Sequence, residues 1–95
     1  MKLWFENSNR EERLIADCAT WSEVDETIND FIKNCNDRKI AEAIDKYGED
    51  FRLEQIQTSL FTRYYTRVWE QEDGRTRIDV GSHYEFFIWE GKYGQ

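Results

Sequence analysis

The 95-residue sequence has no proline, one histidine, two cysteines and five glycines, and its 13 basic residues are outnumbered by 20 acidic ones. Without proline, turns must be made by Gly, Asn, Asp and Ser. No apolar run approaches the ~20 residues of a membrane span, and the first residues lack the apolar core of a signal peptide. We therefore expect a cytoplasmic protein with no membrane partner.

The few cysteines and the single histidine limit the chemistry. Cys18 and Cys35 show no CxxC spacing, so two reduced, buried thiols are predicted, with a single disulfide as the alternative. His83 and Glu85 match the start of the zinc-deaminase signature, but the Pro-Cys-x-x-Cys that completes it is absent. Phosphate-loop, dinucleotide and HExxH motifs are also absent. We expect no enzymatic activity, no catalytic residue, no metal and no cofactor.

The composition nevertheless predicts a folded chain. The length fits one domain spanning residues 1–95. Hydrophobic residues make up 39%, fewer than is usual, but aromatic residues make up 16%. Each buried ring removes roughly 150–250 Å² from water, so a few rings can replace many aliphatic side chains in the core.

The N-terminal region predicts a hairpin followed by helices. Residues 2–6 and 12–20 read as two strands, although Ile15 breaks the alternation of the second. Ser22 is predicted to cap a helix over residues 23–35, with Asp25 as the acid of a capping box. The apolar stripe of this helix is formed by Val24, Ile28, Phe31, Ile32 and Cys35.

The middle of the chain predicts further helical structure. Residues 34–37 read as a break, and residues 38–47 have helical spacing that ends at Gly48. Residues 49–60 fit neither helical nor strand period well, and a third short helix is the interpretation we favour there.

The C-terminal region predicts strands. Residues 61–69 are rich in Thr and aromatics. Asp73-Gly74 predicts a two-residue hairpin turn that places Glu70 opposite Arg77; a four-residue loop is the alternative. Residues 84–90 carry apolar side chains on both faces, as expected of a central strand or of one that meets a partner.

The predicted fold class is α+β: an antiparallel sheet, made of the N-terminal hairpin and a C-terminal three-stranded meander, packed on one face by two or three helices.

Charge indicates the kind of partner. The net charge is −7, and no basic residue lies between Arg13 and Lys33. Glu23, Glu26 and Asp30 lie off the apolar stripe of the predicted helix, where they would attract a basic partner and repel phosphates. A solvated polar face without a partner is the alternative interpretation.

A second candidate surface lies on the C-terminal hairpin, where basic and aromatic residues alternate. Such surfaces bind single-stranded nucleic acid by stacking and charge. Because the chain is acidic, cross-strand pairing is the favoured interpretation, and nucleic acid is not the expected partner. The residues of this surface are Arg63, Tyr64, Arg67, Trp69 and Trp89.

The segment 63–87, which begins Arg63-Tyr64-Tyr65 and continues through Asp73-Gly74, resembles a segment of small proteins encoded by phages and prophages of Gram-positive bacteria. The helix beginning at Trp21 is similar in place and type, whereas residues 36–60 do not match. That family has no assigned activity, so no functional residues carry over. The resemblance implies a phage-type accessory protein that acts in the cytoplasm of a host cell. Small acidic proteins of that origin often bind host proteins, including defence nucleases.

Three hypotheses follow. The first is a non-enzymatic protein that binds a host protein through the acidic helix, as an inhibitor of a host or defence (CRISPR-type) nuclease. The second is a nucleic-acid-binding accessory protein that uses the hairpin at residues 61–80. The third is a homo-oligomer that pairs edge strands.

Overall fold

The computed structural model describes residues 1–62 and 64–93. Its five strands form one antiparallel sheet in the order β2-β1-β5-β4-β3. The strands are β1 (Lys2–Glu6), β2 (Glu12–Asp17), β3 (Arg67–Glu70), β4 (Thr76–Asp79) and β5 (Phe86–Trp89); the helix is α1 (Trp21–Tyr47), and two 3-10 helices span Leu53–Gln55 and Gln57–Ser59. The α+β class, the N-terminal hairpin and the C-terminal meander are confirmed.

Strand β5 joins the two halves of the sheet, because it pairs with both β1 and β4. Its inner side chains, Phe87 and Trp89, point toward α1, and Ile88 on the outer face is also buried. The apolar pattern on both sides of this strand therefore reflects its central position, as the sequence predicts.

Helix α1 packs on the inner face of the sheet. Val24, Ile28, Ile32 and Cys35 are buried, whereas Phe31 is partly buried at the edge of the same cluster. The sheet and the adjoining loops contribute Leu3, Cys18, Phe61, Ile78, Val80, Phe87 and Trp89 to this core. The predicted stripe is thus the face that packs on the sheet.

Strand β2 contains a bulge that explains its irregular pattern. Leu3 pairs with Ala16 and the next residue, Trp4, pairs with Leu14, so Ile15 has no partner of its own. The bulge turns Leu14 to the outer face, where its side chain is 49% exposed.

Helix α1 begins two residues earlier than predicted. Thr20, not Ser22, is the N-cap, and its hydroxyl accepts the N–H of Glu23 at 3.3 Å. The Glu23 carboxylate in turn accepts the N–H of Ala19 at 2.9 Å. Thr20 is thus followed three residues later by an acid that returns to the N-terminus, which is the chemistry predicted for Ser22 with Asp25.

Asp25 has a different role from the predicted one. Its carboxylate accepts a hydrogen bond from the Tyr65 hydroxyl, 40 residues away in sequence. Burial and the bond to Asp25 raise the pKa of Tyr65 above its ordinary value. This contact fastens the segment before β3 to the start of α1.

The predicted break at residues 34–37 does not exist, and the two predicted helices are one. The Asn36 amide donates to the Phe61 carbonyl at 2.9 Å and accepts the Phe61 N–H at 3.0 Å. Asp37 approaches Lys33 at 3.5 Å on the same helix. Because these side chains bond elsewhere, they do not compete for the helix backbone, which contains neither Gly nor Pro.

Helix α1 ends as predicted at Gly48, which has φ +88° and donates its N–H to Ile44 at 2.8 Å. The prediction of a third short helix over residues 49–60 is wrong, because this segment forms no α-helix. The two 3-10 helices of this segment are three residues each, so no continuous helical face forms.

The C-terminal hairpin closes with a three-residue loop, so both predicted loop lengths are wrong. Gln71 donates its N–H to the Arg75 carbonyl at 2.7 Å, and Gly74 donates to Gln71 at 3.0 Å. Gly74 has φ +88°, as in a type I turn followed by a left-handed residue.

The loop length changes the pairing of β3 with β4. Glu70 lies opposite Thr76 rather than Arg77, and Trp69 lies opposite Arg77. The strand is also shorter than the predicted 61–69, because β3 starts only at Arg67.

Helix α1 gives the molecule its length. Its 27 residues span about 40 Å at 1.5 Å per residue, and the principal extents are 45 × 23 × 21 Å. Within the described part of the chain, no helix combines the length and the apolar character needed to cross a membrane.

Candidate functional site

The three predicted acidic residues lie on one face of α1. Glu23, Glu26 and Asp30 are all exposed, and steps of three and four residues keep them on one side of a helix. Because α1 is uninterrupted, Asp37 extends the same face by two turns. We call these four residues the acidic face.

The four carboxylates have different surroundings. Glu23 is occupied by its bond to the Ala19 N–H, and Asp37 approaches Lys33 in an exposed pair. Glu26 and Asp30 form no ion pair with any residue in 1–62 or 64–93. The two carboxylates without an ion pair among these residues therefore lie in the middle of the face.

An apolar groove of about 440 Å³ borders the acidic face. Ile32, Ile40 and Leu60 supply its apolar lining. Its charged lining residues are Asp30, Lys33 and Asp37. We call this the α1 groove. The groove therefore combines apolar side chains with polar and charged ones.

The groove depends on the segment after α1, which brings Leu60 against the helix. The Asn36 amide fixes the neighbouring residue Phe61 through two hydrogen bonds. Lys39 donates to the Ser59 carbonyl, and its Nζ lies 4.6 Å from the centroid of the Phe61 ring. Sequence reasoning missed the groove because these contacts join residues about 20 positions apart.

The alternative surface is only partly assembled. Tyr64 is 70% exposed. Arg67 is exposed and stacks on the half-buried Trp69, with 4.3 Å from its guanidinium carbon to the ring centroid. Arg63 lies outside the described residues.

Trp89 does not belong to any surface, which corrects its assignment to this candidate site. It is 1% exposed in the core, and its indole N–H donates to the Cys18 carbonyl at 3.1 Å. As a residue of the central strand β5, it alternates onto the inner face.

The other hairpin arginines are bound to carboxylates of the N-terminal hairpin. Arg77 contacts both oxygens of the buried Glu6, at 2.8 and 3.1 Å, and lies 4.1 Å from the Phe86 ring centroid. Arg75 contacts both oxygens of Glu12, at 2.7 and 3.3 Å, and lowers the pKa of that carboxyl. These guanidinium groups are therefore engaged within the fold.

His83 and Glu85 do not face each other as partners in a site. His83 is exposed and packs edge-on against the Tyr84 ring. Glu85 accepts hydrogen bonds from Lys39 at 2.8 Å and from Ser82 at 2.6 Å. Among residues 1–62 and 64–93, no group of three or more His, Cys, Asp or Glu is arranged to hold a metal ion.

Both cysteines are free and buried, so the prediction of buried thiols is confirmed. Cys18 packs at the start of α1, with 3.8 Å from its Sγ to the Thr27 hydroxyl. Burial raises the pKa of Cys35 above its ordinary value, which keeps this group a neutral thiol.

Comparison of the chain with known protein families, with curated proteins and with solved structures finds no match.

Proposed function

We propose that this chain is a non-enzymatic, phage-type accessory protein that binds a host protein in the host cytoplasm through the acidic face and the α1 groove. The observation that carries the proposal is that Asp30 and Asp37 line the same groove as the apolar side chains of Ile32, Ile40 and Leu60. Carboxylates steer a basic partner during encounter, and the apolar groove retains it by excluding water.

Because this surface combines carboxylates with an apolar groove, we expect its partner to present an apolar side chain surrounded by basic side chains. Nucleases fit the electrostatic part, because a nucleic-acid channel must be basic. Inhibition of a host or CRISPR-type defence nuclease, by covering that channel, is the activity that we propose. The acidic face spaces four carboxylates over about 21 Å, whereas duplex DNA carries one charge per about 1.7 Å. We therefore propose binding through mixed apolar and ionic contacts rather than imitation of DNA.

The nucleic-acid hypothesis has less support. Phosphate binding needs basic groups that are not already neutralised. Arg75 and Arg77 are paired with Glu12 and Glu6. Within the described part of the hairpin at residues 61–80, the exposed Tyr64 and the stacking of Arg67 on Trp69 remain in its favour.

The test compares two charge reversals of equal size. One variant carries Glu26→Lys, Asp30→Lys and Asp37→Lys. The matched control carries Glu49→Lys, Asp50→Lys and Glu54→Lys, which are exposed residues beyond the C-terminus of α1. Glu23 is left unchanged because its reversal would remove the bond to the Ala19 N–H.

The wild-type chain is first used to capture host proteins from a Gram-positive lysate, and mass spectrometry identifies them. The rates at which each captured protein associates with and dissociates from the wild type and the variants are then measured at low and high salt. We expect the acidic-face variant to slow association by about 10-fold or more at low salt, and the control to bind as the wild type does. Ile40→Ala should mainly speed dissociation. If both triple variants slow association equally, net charge rather than this face attracts the partner, and the proposal is wrong.

The same preparations answer two further questions. If the captured partner is a nuclease, its cleavage of DNA should stop as the wild-type chain is added. Binding of a labelled oligonucleotide by the chain itself, followed by anisotropy, should be absent. Tight oligonucleotide binding that Arg67→Ala abolishes would instead support the nucleic-acid hypothesis.

A further inference from the structure

A second cleft, of about 400 Å³, lies between the N-terminal hairpin and the middle of α1. Phe5, Phe31 and Cys35 supply its apolar lining. Its basic lining residues are Arg13 from β2, and Arg38 and Lys39 from α1. None of the residues that border it belongs to the acidic face or to the α1 groove.

Three of the six charged residues that line this cleft are in ion pairs. Glu12 is held by Arg75 at 2.7 Å, and Glu85 is held by Lys39 at 2.8 Å. Glu11, the remaining acidic residue of the lining, is exposed.

The two arginines of the cleft differ from these residues, because neither Arg13 nor Arg38 forms an ion pair within the described part of the chain. Arg13 lies over the Phe31 ring, with 5.7 Å from its guanidinium carbon to the ring centroid. Arg38 donates to the Cys35 Sγ at 3.5 Å. The two guanidinium groups therefore border the same apolar lining from opposite walls of the cleft.

Two arginines without an ion pair among the described residues are informative here because the whole chain has a net charge of −7 and an excess of carboxylates to pair with them. The cleft is lined by three acidic and three basic residues. The charges that stay available to an anion are the two guanidinium groups without an ion pair in residues 1–62 and 64–93, Arg13 and Arg38. Guanidinium groups match carboxylate and phosphate oxygens with paired hydrogen bonds. A volume near 400 Å³ also falls in the range of small-molecule pockets, about 300–1,000 Å³.

We propose that this cleft binds a small molecule with one carboxylate or phosphate group on a flat apolar body. Arg13 and Arg38 would hold the anion, and the rings of Phe5 and Phe31 would pack against the body. Cys35 adds no opposing charge, because burial keeps its thiol neutral.

The experiment titrates the isotopically labelled full chain with four probes and follows backbone amide shifts by NMR. The probes are phenyl phosphate, benzoate, inorganic phosphate, and benzyl alcohol as the neutral counterpart. We expect phenyl phosphate or benzoate to shift amides near residues 11–13 and 31–39 at concentrations about 10-fold lower than either benzyl alcohol or inorganic phosphate requires. The stronger of the two anionic probes identifies the preferred anion.

Variants then test the arginines. Arg13→Met and Arg38→Met should each weaken binding of the stronger probe by about 10-fold, whereas Arg10→Met, an exposed arginine outside the cleft, should leave it unchanged. If the methionine variants are unstable, Arg13→Lys and Arg38→Lys replace them in the test, because lysine keeps the positive charge. Each lysine variant should weaken binding of the probe by less than the methionine variant at the same position. The proposal is overturned if benzyl alcohol binds as well as the anions, or if the shifted amides lie elsewhere on the molecule.

Discussion

Asn36 illustrates how a single side chain can reverse a local preference. Asn in a helix usually competes with the backbone for hydrogen bonds, and this favours a helix end. Here both atoms of the amide are used by the Phe61 backbone. The same residue therefore continues α1 and anchors the segment that carries Leu60 to the α1 groove.

Asn36→Ala should lower the free energy of unfolding by about 1–3 kcal/mol, because it leaves a partly buried N–H and C=O of Phe61 without partners. Urea denaturation measures the change. Asn34→Ala is the matched control, since Asn34 is exposed on the same helix; its effect should stay within about 0.5 kcal/mol. Equal effects of the two substitutions would show that the Phe61 contact contributes nothing.

At the scale of the element, α1 depends on tertiary contacts along its whole length. Its first half packs on the sheet through Val24, Ile28 and Ile32. Its second half buries Ala43 and is held by the segment that follows it, through the bond from Lys39 to the Ser59 carbonyl. The exposed Ile44 and Tyr47 near its end show that this second half is less well covered.

Arg38→Pro distinguishes one helix from two. If Asp37 capped a second helix, residue 38 would be its first position, where proline is well tolerated. In a continuous helix, proline removes a backbone hydrogen bond and clashes with the preceding turn, at about 3 kcal/mol or more. We expect the larger loss, measured by urea denaturation against Arg38→Ala, which removes the same side chain without changing the backbone. Similar stability of these two variants would contradict a continuous helix.

The hairpin loop can be tested in the same way. A Cβ at Gly74 would meet no atom within 4 Å, but the backbone there has φ +88°. Gly74→Ala should therefore cost about 1–2 kcal/mol through backbone strain alone. Gly74→Asn should cost less, because Asn tolerates this conformation better. Thermal denaturation of the three proteins should rank them Gly, Asn, Ala, and any other order would argue against the three-residue loop.

At the scale of the whole molecule, ion pairs connect the two hairpins. Glu6 and Glu12 come from the N-terminal hairpin, and their partners Arg77 and Arg75 come from the C-terminal one. Within residues 1–62 and 64–93, the carboxylates of the acidic face form no ion pair with a strand residue. The hairpins are thus drawn together while the acidic face keeps its charge exposed.

Acid should weaken the Glu12 pair. Its pKa is lowered by Arg75 from an ordinary value of 4.5. A lowered pKa means that the stabilisation is present above the unfolded-state pKa and is lost as pH falls through the folded-state value. Because the Glu12 side chain is 34% exposed, we expect a contribution below about 1 kcal/mol.

Unfolding free energies measured from about pH 6 to about pH 3 should therefore fall less steeply for Glu12→Gln than for the wild type. Glu11→Gln is the control, since the adjacent Glu11 is exposed and forms no ion pair with a described residue. A wild-type slope in the Glu12 variant would show that the pair is not formed in solution.

Local pattern alone determined several features of this protein. Apolar spacing identified the buried stripe of α1. Because Glu26 and Asp30 lie off that stripe, the same spacing predicted that they are exposed. Apolar residues on both faces identified β5 as a central strand. These properties follow from periodicity and composition over a few turns or residues, and no distant contact opposes them.

Tertiary structure decided the features for which local choices are nearly equal in energy. Thr20 and Ser22 are both suitable caps, and two-, three- and four-residue hairpin loops are all common. The observed choices are those that fit the long-range contacts, such as Tyr65 with Asp25 and Arg77 with Glu6. The sequence was therefore enough to predict part of the candidate site, namely Glu23, Glu26 and Asp30 of the acidic face. Asp37 joins that face only because α1 continues through the predicted break. The groove exists only because Asn36 and Lys39 hold residues 59–61 against the helix.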